Sequence, residues 1–169
     1  MDIMGIVNLT DDSFYAESRC LNLEAVLEKA GQMVAEGATI LDFGASLSRP
    51  GSEPVGPEEE WKRLEPALSA VRKRWPGIEI SIDTTWSSVV SRAYDLVGDI
   101  WVNDISSGND DPQMLPLVGT LGLKYIAMHR RGDSKTMQSM TDYEDVVEDV
   151  IAFFKDFAVR AAENGVRNW

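Results

Sequence analysis

The sequence predicts a parallel α/β fold made of five strand–helix units. Three observations point to it. Short apolar runs alternate with longer segments of helical period along the whole chain. The runs are apolar through most of their length, as in sheets covered on both faces. Each run also ends on a polar residue: Asn8, Asp42, Asp83, Asn103-Asp104 and His129. Successive units of this kind imply parallel strands joined by right-handed crossovers.

The first strand is read at Ile3–Leu9. In the helix that follows, Leu23, Val26, Leu27, Ala30, Met33 and Val34 share one face, with Asn22 as its cap and Gly37 as its stop. The second strand is Thr39–Phe43, followed by a Gly/Ser/Pro loop from Gly44 to Pro54. Pro57 and Glu58-Glu59-Glu60 open the next helix, the acidic first turn that a helix dipole favours, and are read as solvated; Trp61, Leu64, Leu68 and Val71 form its stripe. The third strand is Glu79–Asp83. Its helix starts at Ser87 or Ser88 and buries Val89, Val90, Ala93 and Leu96. The fourth strand is Ile100–Asp104, with a short helix from Pro112 to about Val118; the fifth is Tyr125–Met128. The last helix runs from Tyr143 to Asn164, with Val146, Val147, Val150, Ile151, Phe154, Phe157 and Ala158 inward and Gly165 as its stop. Val166–Trp169 lies where a sixth strand would begin.

Composition bounds the function. The chain has 169 residues, 44% of them hydrophobic and 26% charged, which fits a single globular domain over residues 1–169. Net charge is −12, so nucleic acid and anionic membranes are poor partners. An anionic substrate therefore has to be held locally, by cations, amides or a metal. The single cysteine, Cys20, excludes an internal disulfide, and the chain lacks a CxxC pair. With no signal peptide or long apolar span evident, a cytoplasmic location is expected.

The topology has two readings. One is a complete, doubly wound open sheet. The other is a β/α barrel lacking its last three units, since a full barrel takes roughly 250 residues. In both, ligands bind at the C-terminal strand ends, where the polar residues gather. Asp and Asn together offer acceptors and a donor, which suits the amino-pyrimidinone edge of a pterin or purine. The Asn8 amide oxygen suits Mg²⁺ shared with phosphates and water. Arg49 offers a planar fork to phosphate or carboxylate. His129, the only histidine, is read as structural, and Trp61, Trp75 and Trp86 as packing.

Five segments carry a family resemblance. Met4–Phe14, Asp42–Gly51, Ile82–Thr84, Val102–Ser106 and Met128–Gln138 resemble, in order and spacing, the signatures of dihydropteroate synthase. The resemblance implies the TIM (β/α)8 barrel, of which this chain supplies the first five units. It also implies an enzyme, a transferase of folate synthesis that joins hydroxymethyl-dihydropterin pyrophosphate to p-aminobenzoate and releases pyrophosphate. On that basis Asp83, Asn8 and Arg49 are the catalytic residues, and Asp83 and Asn103 hold the pterin, with Asp42 and Met128 lining its pocket. Asn8 serves Mg²⁺, the one expected cofactor, and pyrophosphate. Ser48 and Arg49 meet pyrophosphate and aminobenzoate, with Phe14 and Pro50 in loops that close over the latter. The family also allows a homodimer at full length.

Two departures stand out: Asp11 replaces the usual Pro, and Arg130 stands where Met is common. The family's later D-P-G-x-G segment, lysine and R-x-H lie beyond this sequence, so little activity is expected of these residues alone. Two other readings are a non-catalytic pterin-binding half that needs a partner chain, and a pterin-dependent methyltransferase domain, whose chemistry does not call for the S-x-R-P-G loop.

Overall fold

A computed structural model describes residues 1–9, 19–45, 55–133 and 136–169, without the side chains of 19–22 and 138. The elements are β1 Met4–Asn8, α1 Arg19–Ala35, β2 Ile40–Gly44, α2 Pro57–Arg74 and β3 Glu79–Asp83, then α3 Ser87–Val97, β4 Trp101–Asp104, α4 Met114–Leu121, β5 Lys124–Ala127 and α5 Val146–Glu163. All five strands form one parallel sheet in the order β1-β2-β3-β4-β5. That order decides between the two topologies. A doubly wound sheet reverses its strand order at a switch point, whereas a barrel adds each strand beside the last. Each helix packs on the next, α1 on α2 through α4 on α5. These are the first five units of a TIM (β/α)8 barrel, and its inner face is the unpaired side of the sheet. At the far edge, Asn168 bridges Lys124 in parallel, and the Tyr125 amide donates to the Asn168 carbonyl at 2.8 Å. A sixth strand thus begins where the sequence places one.

Period-two alternation sorts the strand residues. Val7, Leu41, Phe43, Ile80, Ile82, Val102 and Tyr125 face the helices and are buried against Leu64, Leu68, Val71, Val90, Val118 and Phe157. Asn8, Asp42, Asp83 and Asn103 occupy the other parity. β2 is buried on both faces, but Ile6 of β1 is 57% exposed, so two-sided burial does not extend to that edge.

Several boundaries differ from the sequence reading. α1 starts at Arg19, three residues before Asn22, because a single Asn costs too little to stop a helix. Gly37, at φ 105°, ends it as expected, with Ala38 N–H donating to the Met33 carbonyl. α4 runs from Met114, which puts Pro116 in the first turn, where its missing N–H has no partner to lose. α5 starts at Val146, capped by the Asp145 carboxylate, which accepts from the amides of Val147 and Glu148.

Three burial expectations are corrected. Leu96 is 39% exposed and Val97 is buried instead. On α5 only Phe157 and Ala161 are buried, while Val146, Val147 and Ile151 are exposed, because this helix ends the array and has a helical neighbour on one side only. Glu60 is not solvated: at 1% exposure it continues the buried stripe Leu64, Ala67, Leu68 and Val71. No helix among the described residues is long and apolar enough to cross a membrane.

Arg130 replaces an apolar residue with an ion pair. Its side chain is 4% exposed and its guanidinium grips Asp110 through both terminal nitrogens, one at 3.0 Å. The pair ties the loop after β5 to the loop after β4. Asp110→Ala would leave a buried, uncompensated guanidinium and is expected to cost about 1–3 kcal/mol in chemical denaturation.

Candidate active site

The parallel register puts Asn8, Gly44, Asp83 and Asn103 in one row at the C-terminal strand ends: Asn8 pairs with Gly44, Gly44 with Asp83 and Asp83 with Asn103. Asp42 lies one layer deeper on the same face, two residues before Gly44. The side chains converge as the alternation requires. The Asn103 amide donates to Asp42 Oδ2 at 3.2 Å. A methyl group built on Gly44 would stand 3.2 Å from Asp83 Oδ2 and 3.6 Å from Asn8 Oδ1. Gly44 thus leaves open a space that Asn8 and Asp83 both face. Filling it with Gly44→Ala is expected to weaken ligand binding about tenfold while shifting the melting temperature little, readable by calorimetry beside a thermal scan.

The floor of this hollow is acidic. Asp42 is buried, and its Oδ1 has no hydrogen-bond partner among the described residues, an acceptor open to a donor from outside. Burial, reinforced by the carboxylates of Asp42 and Asp104, pushes Asp83 up to about 6. Asp104 has the opposite parity and a different task. It points under the helices, where it accepts from the Ser106 and Gly108 amides and from the Tyr125 hydroxyl at 2.6 Å; burial, reinforced by this carboxylate, raises the phenol's pKa. It anchors the loop after β4 and is unavailable to a ligand.

Met128 follows β5, half-buried, and its carbonyl accepts from the Ser107 hydroxyl at 2.8 Å. Ser107 itself is a non-glycine residue at positive φ, 53°, held by that bond and by Arg160 on its carbonyl. His129 packs on Phe153, with Asp149 at 3.6 Å. Phe14, Ser48, Arg49 and Pro50 lie outside the described residues.

Two residues that sequence reading missed stand behind the row. Glu60 is buried on α2, and desolvation, reinforced by Asp83, pushes its carboxyl up to about 7 against the opposing Thr84 hydrogen bond and Arg63 charge. Arg63, one turn on, donates to the Ala45 carbonyl at 3.2 Å. The spacing 60, 63, 64, 67, 68, 71 is a helical stripe, and reading Glu60 and Arg63 as part of it would have found them. A hollow of about 650 Å³ lies at the opposite end of the sheet, lined by Arg72, Glu79, Trp101 and Lys124 among others. Lys124 and the Trp101 indole are both committed to Glu79 there.

No group of three or more His, Cys, Asp or Glu among the described residues could cage a metal. A Mg²⁺ that keeps its waters and a substrate's phosphates needs no cage, and the Asn8 amide oxygen at the rim suits it.

The family model described as pterin binding enzyme matches residues 4–169. The chain belongs to the pterin-binding enzyme family. Among curated members of that family, it is 40% identical to the dihydropteroate synthase of Neisseria meningitidis serogroup B, across 95% of this chain and 55% of that protein. It is also 40% identical to the mitochondrial folate synthesis bifunctional protein of Arabidopsis thaliana, across 99% of this chain and 31% of that one. The chain therefore spans about half the length of bacterial members and less of the larger ones. Among solved structures it is similar to the Yersinia pestis dihydropteroate synthase in complex with a sulfonamide drug, at TM-score 0.86 and 32% identity, covering 98% of this chain and 59% of that one. The Burkholderia cenocepacia synthase complexed with 7,8-dihydropteroate matches at TM-score 0.79 and 35% identity, covering 98% and 55%.

Proposed function

We propose that this chain supplies the strand tips of a dihydropteroate synthase, which condenses hydroxymethyl-dihydropterin pyrophosphate with p-aminobenzoate to dihydropteroate and pyrophosphate. The observation that carries this reading is the convergence of Asn8, Asp42, Asp83 and Asn103, with Asp42 Oδ1 unpartnered among the described residues. An amino-pyrimidinone edge brings the N–H donors that two carboxylates and an amide oxygen lack.

The chemistry follows from where the charges sit. The C–O bond to pyrophosphate breaks and leaves a methylene cation conjugated with the pterin. The carboxylates of Asp83 and Asp42, fixed below it, favour that developing charge. The neutral aromatic amine attacks, a C–N bond forms and one amine proton passes to solvent, so no activated serine or cysteine is required. Asn8 would hold Mg²⁺, whose contribution when bound is to neutralise the leaving group. Ser48 and Arg49 are assigned to pyrophosphate and aminobenzoate, and Phe14 and Pro50 to the closing loops. A cytoplasmic location and a full-length homodimer complete the reading, on the strength of the composition and the family resemblance. The partner-dependent and methyltransferase readings have no observation in their favour.

Dihydropteroate formation from the two substrates, with and without Mg²⁺, tests the proposal. Metal-dependent product is expected. Pterin binding without condensation in the full-length protein would reject it. Arg49→Ala should raise KM for aminobenzoate and leave pterin affinity within about twofold; equal loss of both would move Arg49 elsewhere.

A further inference from the structure

The loop after β4 is tied to β5 at two levels. From below, the Asp104 carboxylate accepts from the Ser106 amide at 2.7 Å, the Gly108 amide at 2.8 Å and the Tyr125 hydroxyl at 2.6 Å. Those three donors already shape the turn and fasten it to β5. Above them, the Ser107 hydroxyl donates to the Met128 carbonyl at 2.8 Å. The β4–β5 register ends at Asp104 and Ala127, so this second tie lies one residue past the ladder.

The second tie comes at a backbone cost. Ser107 is buried and has φ 53°, a conformation that crowds a β-carbon and that glycine would adopt without strain. Two further bonds hold it there. Its amide donates to the Asp104 carbonyl at 3.1 Å, and its carbonyl accepts from Arg160 Nη1 on α5 at 3.1 Å. A glycine could keep both of these, because they use only the backbone. What serine adds is the hydroxyl, and the hydroxyl goes to Met128. Strain of this kind persists where the surroundings over-determine it, and it gathers at functional sites.

Met128 stands next to the row of strand tips. Asn103 pairs with Ile126, and Met128 follows two residues later in the same parity. Fixing the Met128 carbonyl therefore fixes how the β5 tip stands against the Asn103 end of the row. We infer that Ser107 is a positioning residue for the pterin pocket, which holds the Met128 wall against Asn103 through its hydroxyl. The inference rests on the function proposed above and deepens it. Ser107 acts through Met128, so its loss should fall on the pterin and spare the aminobenzoate.

Two variants separate the hydroxyl from the strain. Ser107→Ala removes the hydroxyl alone, whereas Ser107→Gly removes the hydroxyl and the strain together. The test uses full-length protein: calorimetry with hydroxymethyl-dihydropterin pyrophosphate, KM for aminobenzoate, thermal melting, and hydrogen exchange at 128–130. Both variants are expected to bind the pterin substrate about fivefold more weakly, with KM for aminobenzoate within about twofold of wild type. Both should speed exchange at 128–130. Ser107→Gly should nonetheless melt above Ser107→Ala, so that pterin affinity follows the hydroxyl and stability follows the backbone. Normal pterin affinity in Ser107→Gly would overturn the inference, because affinity would then track stability. Equal loss for both substrates, or unchanged exchange at 128–130, would overturn it as well. Wild-type protein that binds no pterin would instead reject the function reading, and exchange at 128–130 would then decide whether the hydroxyl holds the β5 tip.

Discussion

Asp83→Asn is expected to lower pterin affinity at least about a hundredfold in titration calorimetry while the protein stays folded. Asp83 is the best-placed carboxylate in the row, at the end of β3 between Gly44 and Asn103, facing the space that Gly44 leaves open. An amide of the same size keeps the packing but replaces an ionised acceptor with a neutral group, one half of which is a donor. A ligand N–H that had met a carboxylate would then meet a weaker acceptor or another donor, and charged hydrogen bonds account for about 1.5–3 kcal/mol each. Asp83→Ala should abolish detectable binding altogether. Near-normal binding in either variant would remove Asp83 from the site and the pterin reading with it.

Glu60→Gln should change how stability depends on pH by about 3 kcal/mol. Burial holds the Glu60 carboxyl at about 7, against an ordinary value of 4.5. Below pH 4.5 the group is protonated in both folded and unfolded chains and favours neither. As pH rises from there the unfolded chain releases its proton while the folded one keeps it, so the folded state binds more protons and stability falls. The fall is complete above about pH 7, where both states are ionised. Glutamine does not titrate. Measured by denaturant unfolding, the variant's stability relative to the wild type should therefore climb by about 3 kcal/mol between pH 4.5 and 7.5 and stay level beyond. A parallel pair of stability curves would mean that Glu60 is solvated after all.

The site row was legible because strand parity is rigid. Asn8, Asp42, Asp83 and Asn103 all fall two-fold in phase with the inner face, and any parallel sheet of this order must bring them together. The same rule separates Asn103 from its neighbour Asp104, which goes to the helices. Glu60 was missed because an acidic run at a helix start fits the dipole equally well in solvent, and only its phase with Leu64, Ala67, Leu68 and Val71 tells the third glutamate from the first two. α5 misled for a related reason. Its apolar face is real, but burial depends on what stands opposite, and only its C-terminal half meets β5 and α4. Barrel and open sheet could not be told apart from five strand signals alone, since strand order is a long-range property that local pattern does not encode.

The central claim is that one pterin binds where the strand tips converge. A crystal structure of the protein with dihydropteroate tests this most directly. The account predicts the pterin ring against the inner face, donating to Asp83 and Asp42 and within hydrogen-bond reach of Asn103. A ring seated instead in the hollow at the opposite end, among Arg72, Glu79, Trp101 and Lys124, would contradict it.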